Sequence, residues 1–479
     1  MKIIFFLAYI FCFASNFYIG AGLRAIPLYF FWTGLFLFLC AAFYPKISYR
    51  KLLANYKTRS FKWLLLFAVW SLVTVAISLY TGHFYYSSFL NAIFGGLICT
   101  IFFVFLTIII ALPELINFKA FIKVTFIIFA VIFVLGLIQY AGMAMGINFI
   151  KQGFYFISNR RLIMGGGYTD DTRIMTLFLE PSVYAYFIII ISPFVYGLCF
   201  SKNKIFSNTL YDRIIKYTVF CLMLINLLLA QSPPYIVIGV LLLLIILGHW
   251  FRRLKMLPGV FIVNILILVM IIASFVVSLD IFHQEKKALI KMHSPIERVI
   301  RVIENIDEPE KLYIVEGSLI TRYVIFYNSV YIFLKNPLFG VGYGNFTKAI
   351  TDQLRESPID IGWELEQYIK YTDETEEFTG PTSGIFFRTL AETGLIGIIL
   401  LFGFFISLLL KIQKLEKFYK DIEKDFFVAG KYYIIIFLCT SFYTSVLHWV
   451  FIWIFAAILQ AMVVFKLSET KNKPVEASL

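Results

Sequence analysis

Long apolar runs recur along the chain, separated by short polar stretches. A bilayer crossing needs about 20 apolar residues. Twelve segments approach that length: 3–18, 25–44, 62–80, 89–112, 120–145, 176–200, 217–230, 235–251, 257–279, 384–410, 432–447 and 449–465. Two divisions cut a single long run. Prolines in Gln231-Ser232-Pro233-Pro234 support the first, and length alone supports the second, near His448. The start, Met1-Lys2 before an apolar run, resembles a signal peptide. No cleavage site stands out and further apolar runs follow, so it is read as the first span. The pattern predicts an all-α polytopic membrane protein with about 12 transmembrane helices and one long, largely helical exterior loop subdomain. Residues 1–279 form a bundle of about nine spans, 280–383 the exterior subdomain, 384–466 the last spans and 467–479 a cytoplasmic tail.

Charge orients the pattern. Lys46, Arg50, Lys51, Lys57, Arg59 and Lys62 share one loop with no acid, which places that loop in the cytoplasm. Alternation then puts the basic segments 201–216, 252–255 and 411–431 on the same side, together with both termini. Segments 81–88, 147–175 and 280–383 face outward. The last of these holds 17 of the 29 acids and 11 of the 42 bases, so it is net −6 while the rest is net +19. Ser294-Pro295-Ile296-Glu297 is a capping box at the start of a helix. A second helix is expected from about Ser318 to Lys335, ended by Asn336-Pro337. The acidic run Asp373–Glu377 reads as a solvated turn.

Composition agrees. The chain is 60% hydrophobic, 19% aromatic and 15% charged, against about 25% charged in soluble domains. The net charge of +13 lies in short loops, as membrane topology requires, and does not form a nucleic-acid surface. The six cysteines sit in apolar runs and the five histidines are scattered, which gives no disulfide framework and no metal site. No phosphate loop or dinucleotide fingerprint is present, and no cofactor is expected. The sequence shows no repeat of the inverted kind used by transporters.

Chemistry concentrates at the outer face. Segment 147–175 carries Lys151, Arg160, Arg161 and Arg173 against the topology preference. An anionic ligand or pairing with the acidic subdomain accounts for them. Glu180 opens the next span about one turn below the surface, where an ionisable group is costly and therefore a functional candidate. A salt bridge to Arg173 is its structural alternative. Ser383 stands at the outward N-terminus of the tenth span, whose free N–H groups suit an anion. Arg388 and Glu392 follow at a spacing that predicts an ion pair. Arg322 shares its helix with Tyr323, Phe326, Tyr327, Tyr331 and Phe333. A guanidinium forking phosphate oxygens beside rings that stack on sugars suits a sugar diphosphate. A stem lying along apolar surface is the alternative. The turn Gly340-Val341-Gly342-Tyr343-Gly344-Asn345 either offers N–H groups to a phosphate or bends the chain back to the membrane.

The run Lys335-Asn336-Pro337-Leu338-Phe339-Gly340-Val341-Gly342-Tyr343-Gly344-Asn345-Phe346 resembles the first hallmark of the O-antigen polymerase and ligase superfamily. Leu390-Ala391-Glu392-Thr393-Gly394-Leu395-Ile396-Gly397 is similar to the second, and Glu180-Pro181-Ser182 to a third. The resemblance implies a metal-independent glycosyltransferase of the bacterial inner membrane, acting at its outer face on undecaprenyl-diphosphate-linked glycans. Arg322 matches the family's arginine before the glycine turn. Where ligases have a histidine-asparagine pair, this chain reads Ser383-Gly384; where they have serine-arginine, it reads Ser232-Pro233. Those departures favour a polymerase over a ligase.

The expected reaction is inverting transfer of a growing glycan to a lipid-linked repeat unit. Glu180 is the base, Arg322 and Arg173 act at the leaving diphosphate, and Arg160, Arg161, Arg388, Ser383, Tyr323, Tyr327, Gly342, Tyr343, Gly344 and Asn345 bind substrate. The partners implied are the glycan substrates and the bilayer, with a chain-length regulator protein left open. A ligase, a lipid-linked glycan flippase and a non-enzymatic chain-length regulator remain the alternatives.

Overall fold

The computed structural model describes residues 7, 10, 58–81, 118–145, 147, 174, 176, 181–199, 201–206, 208–230, 309–357, 365–366, 369–370, 384–442 and 450–472. Among the described residues the fold is all-helical, with no strand. Its long helices are α1 (Arg59–Tyr80), α2 (Phe118–Ala144), α3 (Pro181–Cys199), α4 (Thr209–Leu229), α5 (Pro309–Lys335), α6 (Phe346–Arg355), α7 (Ile385–Leu415), α8 (Asp421–Thr440) and α9 (Val450–Asn472). Four stretches are long and apolar enough to cross a membrane by length and composition: Arg59–Tyr80, Phe118–Met143, Ser182–Cys199 and Ile385–Phe418. The spans expected at 25–44, 89–112, 235–251 and 257–279, nearly all of 3–18, and the capped helix near Ser294 lie outside the described residues.

The core explains the order of packing. α3 and the apolar part of α9 are buried all round, from Tyr184 to Ile191 and from Ile452 to Leu459. A helix apolar on every face belongs inside a bundle. Phe194 of α3 stacks on Phe455 of α9 with ring centroids 4.4 Å apart. α8 packs between α3 and α7, while α1 and α5 flank α7 and α4 joins α3 to α2. Pro193 interrupts α3 and leaves the carbonyl of Ile189 without its usual N–H. The Ser192 hydroxyl donates to that carbonyl at 2.8 Å, so the repair is made within one turn.

α5 begins at Pro309 rather than near Ser318, and two further helices begin earlier than hydropathy predicts. α4 starts at Thr209 rather than near 217, and α8 at Asp421 rather than near 432. The expected loop over 411–431 shrinks to the end of α7, a 3₁₀ turn (Glu416–Phe418) and two residues. Polar side chains in the added turns find partners. Lys216 pairs with Asp212 at 2.8 Å, both almost fully buried. Asp425 accepts from the Ser201 hydroxyl and from Asn203 Nδ2, and Lys431 pairs with Glu416 at 3.1 Å. Hydropathy discounts such residues, but paired charges are tolerated in a helical bundle. The run over 432–465 is two antiparallel helices, because the Tyr433 hydroxyl donates to Ile452 and that of Tyr419 to Met462.

At the opposite end of the bundle α5 ends at Lys335, as the Asn336-Pro337 stop predicts. α6 follows the glycine turn and buries Phe346, Ile350 and Leu354 along one face. Those residues form a small core with Val324, Ile325 and Ile332 of α5 and Ala391 of α7. That core fastens the α5–α6 unit to the first turns of α7.

Candidate active site

α7 is a broken helix. At Gly394 the backbone turns to φ 67°, ψ −169°. The break removes intrahelical partners from neighbouring backbone groups, at a cost in an apolar setting unless they are re-paired. The glycine turn supplies most of the replacements. Val341 N–H donates to Ala391, Gly342 N–H donates to Glu392, and Leu395 N–H donates to the Pro337 carbonyl, each at 2.9 Å. Trp70 Nε1 of α1 donates to the Thr393 carbonyl at 2.9 Å. Its ring stacks on Phe339 with centroids 5.4 Å apart.

Two glycines let the backbones meet. A Cβ on Gly394 would lie 2.2 Å from the Leu338 carbonyl oxygen, and one on Gly340 would lie 2.4 Å from the Glu392 backbone. Both have positive φ, which other residues adopt at a cost. The two sequence hallmarks are therefore one interlocked element in space.

Among the described residues the interlock commits five of the turn's six backbone donors, all but the Gly344 N–H. Besides Val341 and Gly342, Gly340 N–H donates to Asn336, Asn345 N–H to Gly342, and Tyr343 N–H to Thr74 Oγ1 at 3.3 Å. Of the two readings of the turn, the geometry supports the bend. Gly342 and Gly344 are buried, and the half-buried Tyr343 packs edge-on against Phe67. Asn345 is buried; its amide donates to the Val341 carbonyl, while its Oδ1 has no partner among the described residues. The start of α7 is occupied as well. Phe386 N–H donates to the Ser441 carbonyl at 3.0 Å, and the Phe442 backbone lies against Gly384.

The charged groups lie beside this interlock. Arg388 Nε donates to Glu392 Oε1 at 3.0 Å, as their spacing predicts. The Glu392 side chain is 4% exposed and that of Arg388 33%. The terminal guanidinium nitrogens of Arg388 make no hydrogen bond among the described residues, and the group lies 5.8 Å from the Phe346 ring centre. A buried carboxylate thus fixes one edge of the guanidinium and leaves its fork presented. Arg322 is partly exposed on α5, one turn before Phe326. Phe326 meets Phe387 edge-on at 4.3 Å, next in the chain to Arg388. The two arginines therefore flank one aromatic contact between facing helices. Tyr323 is exposed and Tyr327 half-buried on the same helix.

Arg160, Arg161, Arg173, Glu180 and Ser383 lie outside the described residues. Two anchors of the segment holding Arg173 and Glu180 are described. Ile174 N–H donates to Leu229 at 3.2 Å, and Thr176 N–H to Gln139 Oε1 at 2.7 Å. Thr176 has φ +50° and a buried hydroxyl with no partner among the described residues. Asn226 bonds the Tyr184 hydroxyl and the Phe133 carbonyl, passing Gly136, where a Cβ would lie 1.8 Å from its Oδ1. These groups belong to the same end of the bundle as the start of α7.

Sequence reading missed Trp70, Thr74, Gln139 and Asn226. Each is a polar group within an apolar helix, and that cost was the available signal. Trp70, Thr74 and Ser78 recur every four residues on one face of α1.

Residues 218–402 match the family described as O-antigen ligase. The match covers 185 of the 479 residues, and over that stretch the chain is similar to the O-antigen polymerase and ligase superfamily. The match contains α5, the glycine turn, α6 and the break in α7. Among curated proteins none matches. The match begins within α4, so Trp70 and Gln139 lie beyond the matched region.

Proposed function

We propose that the protein polymerises undecaprenyl-diphosphate-linked oligosaccharide repeat units at the outer face of a bacterial inner membrane. The observation that carries this is Arg388: a guanidinium held on one edge by Glu392, open at its fork, and facing the helix of Arg322. Paired guanidinium groups among aromatic rings suit a diphosphate joined to a sugar. A hydroxyl at the non-reducing end of a lipid-linked repeat attacks the anomeric carbon of the growing chain. A glycosidic bond forms with inversion, and the bond from that carbon to the diphosphate oxygen breaks. Arg322, Arg388 and Arg173, with Arg160 and Arg161, take up the charge on the leaving diphosphate. Glu180 receives the hydroxyl proton. Tyr323 and Tyr327 offer rings to the sugars. Glu392 positions Arg388 rather than acting as the base, because its carboxylate is already engaged.

The test is the glycan ladder made by the full-length protein in its native membrane. Arg322→Ala and Glu180→Gln should each abolish long-chain polymer. Polymer of normal length in both variants would overturn the assignment. The family description favours a second reading, a ligase that delivers the glycan to a lipid or protein acceptor. A deletion strain separates the two. Single repeats still joined to their final acceptor mark a polymerase, and loss of all joined glycan marks a ligase.

A further inference from the structure

A groove of about 430 Å³ runs between α2 and α4, away from the broken helix. Ile127, Ala130, Val131 and Val134 of α2 line it, and Phe206 and Ile215 complete it. The α2 positions share one helix face. Ile127, Val131 and Val134 are 46%, 53% and 44% exposed, although apolar. Along α2 the lining extends from Phe126 to Leu135, about 14 Å at 1.5 Å per residue. Half of a hydrocarbon core is about 15 Å thick. The groove therefore matches the depth of a single leaflet.

Its mouth is built for negative charge. Lys123 stands one turn before Ile127, and its ammonium lies 5.4 Å from the Phe206 ring. Phe206 is fixed there because Asp212 Oδ1 accepts from the N–H groups of Ile205 and Phe206, at 2.7 and 2.9 Å. Asp212 is in turn buried against Lys216. It is the sole acid in 118–123 and 201–216, segments that also carry Lys119, Lys123, Lys202, Lys204, Arg213 and Lys216, and the buried Asp425 of α8 is taken up by Ser201 and Asn203. An apolar slot one leaflet deep with a basic rim is complementary to an acyl chain under an anionic headgroup. We infer that this groove binds one anionic glycerophospholipid of the leaflet at the basic end, separately from the glycan site.

The test is native mass spectrometry of the full-length protein released from nanodiscs of mixed phosphatidylglycerol and phosphatidylcholine. The wild type should retain one phosphatidylglycerol molecule in clear preference to phosphatidylcholine. Lys123→Glu should cut that preference about fivefold or more. Ala130→Phe should expel the retained lipid by filling the slot. Lys417→Glu, a charge change on the 3₁₀ turn, should leave the preference unchanged and so controls for net charge. Equal retention of both lipids by the wild type would overturn the inference, as would unchanged retention in both groove variants. Recovery of a polyprenyl-linked glycan in place of the phospholipid would also overturn it. If Ala130→Phe fails to fold, Lys123→Glu on the surface still decides.

Discussion

α3 and α7 both carry a residue that interrupts an apolar helix, and they handle it differently. At Pro193 the Ser192 hydroxyl serves the exposed carbonyl, and the helix continues as one rod. At Gly394 the repair comes from α1 and the glycine turn. Local repair leaves a span independent of its neighbours. Distant repair makes the break a junction, and in this protein the charged pair Arg388–Glu392 sits on the turns leading into it. A broken helix within membrane depth persists only where protein covers it, so the cover and the site were built together.

That contrast can be broken in graded steps. Gly394→Ala is expected to be the most damaging single methyl in the described structure. It drives Cβ into the Leu338 backbone at a positive φ, and a loss of about 4–5 kcal/mol should appear as failed accumulation or a collapsed unfolding temperature. Arg388→Lys keeps a cation for Glu392 and discards the fork. Its glycan product should fall about 10²–10³-fold in a timed polymerisation assay while thermal unfolding barely moves. Trp70→Phe keeps the ring on Phe339 but leaves the Thr393 carbonyl unpaired. It should cost about 1–3 kcal/mol in unfolding measurements, and a variant as stable as wild type would show that α1 does not hold the junction. Pro193→Ala should be close to neutral in the same measurement, because the restored N–H merely joins the Ser192 hydroxyl at one carbonyl. Should Pro193→Ala prove as harmful as Gly394→Ala, local and distant repair would be equivalent and the comparison would fail.

Much of this was legible before any coordinates. The stop after Lys335, the Arg388–Glu392 pair and the division between α8 and α9 follow from proline chemistry, helical spacing and span length. The early starts of α4 and α8 were hidden because hydropathy counts Asp212, Lys216 and Asp425 as solvent-facing, whereas Asp212 and Lys216 pair with each other and Asp425 is met by Ser201 and Asn203 of another segment. The break itself was hidden because Leu390–Gly397 reads as an unbroken apolar helix with a tolerated glycine. Only the facing backbone of Leu338 shows why that position must be glycine. Trp70 was passed over for the same reason: its partner carbonyl lies far away in sequence.

That separation has a consequence for how the protein is made. Trp70 and Thr393 are 323 residues apart. At synthesis rates of about 5–20 residues per second, α1 enters the membrane about 16–65 s before its acceptor exists. Tyr343 and Thr74, 269 residues apart, wait nearly as long. A nascent chain cut short before Gly394 would contain Arg322 and Arg388 but no junction to hold them. This end of the molecule can therefore close only when most of the chain has been translated and inserted, so truncated products reach the membrane without the junction.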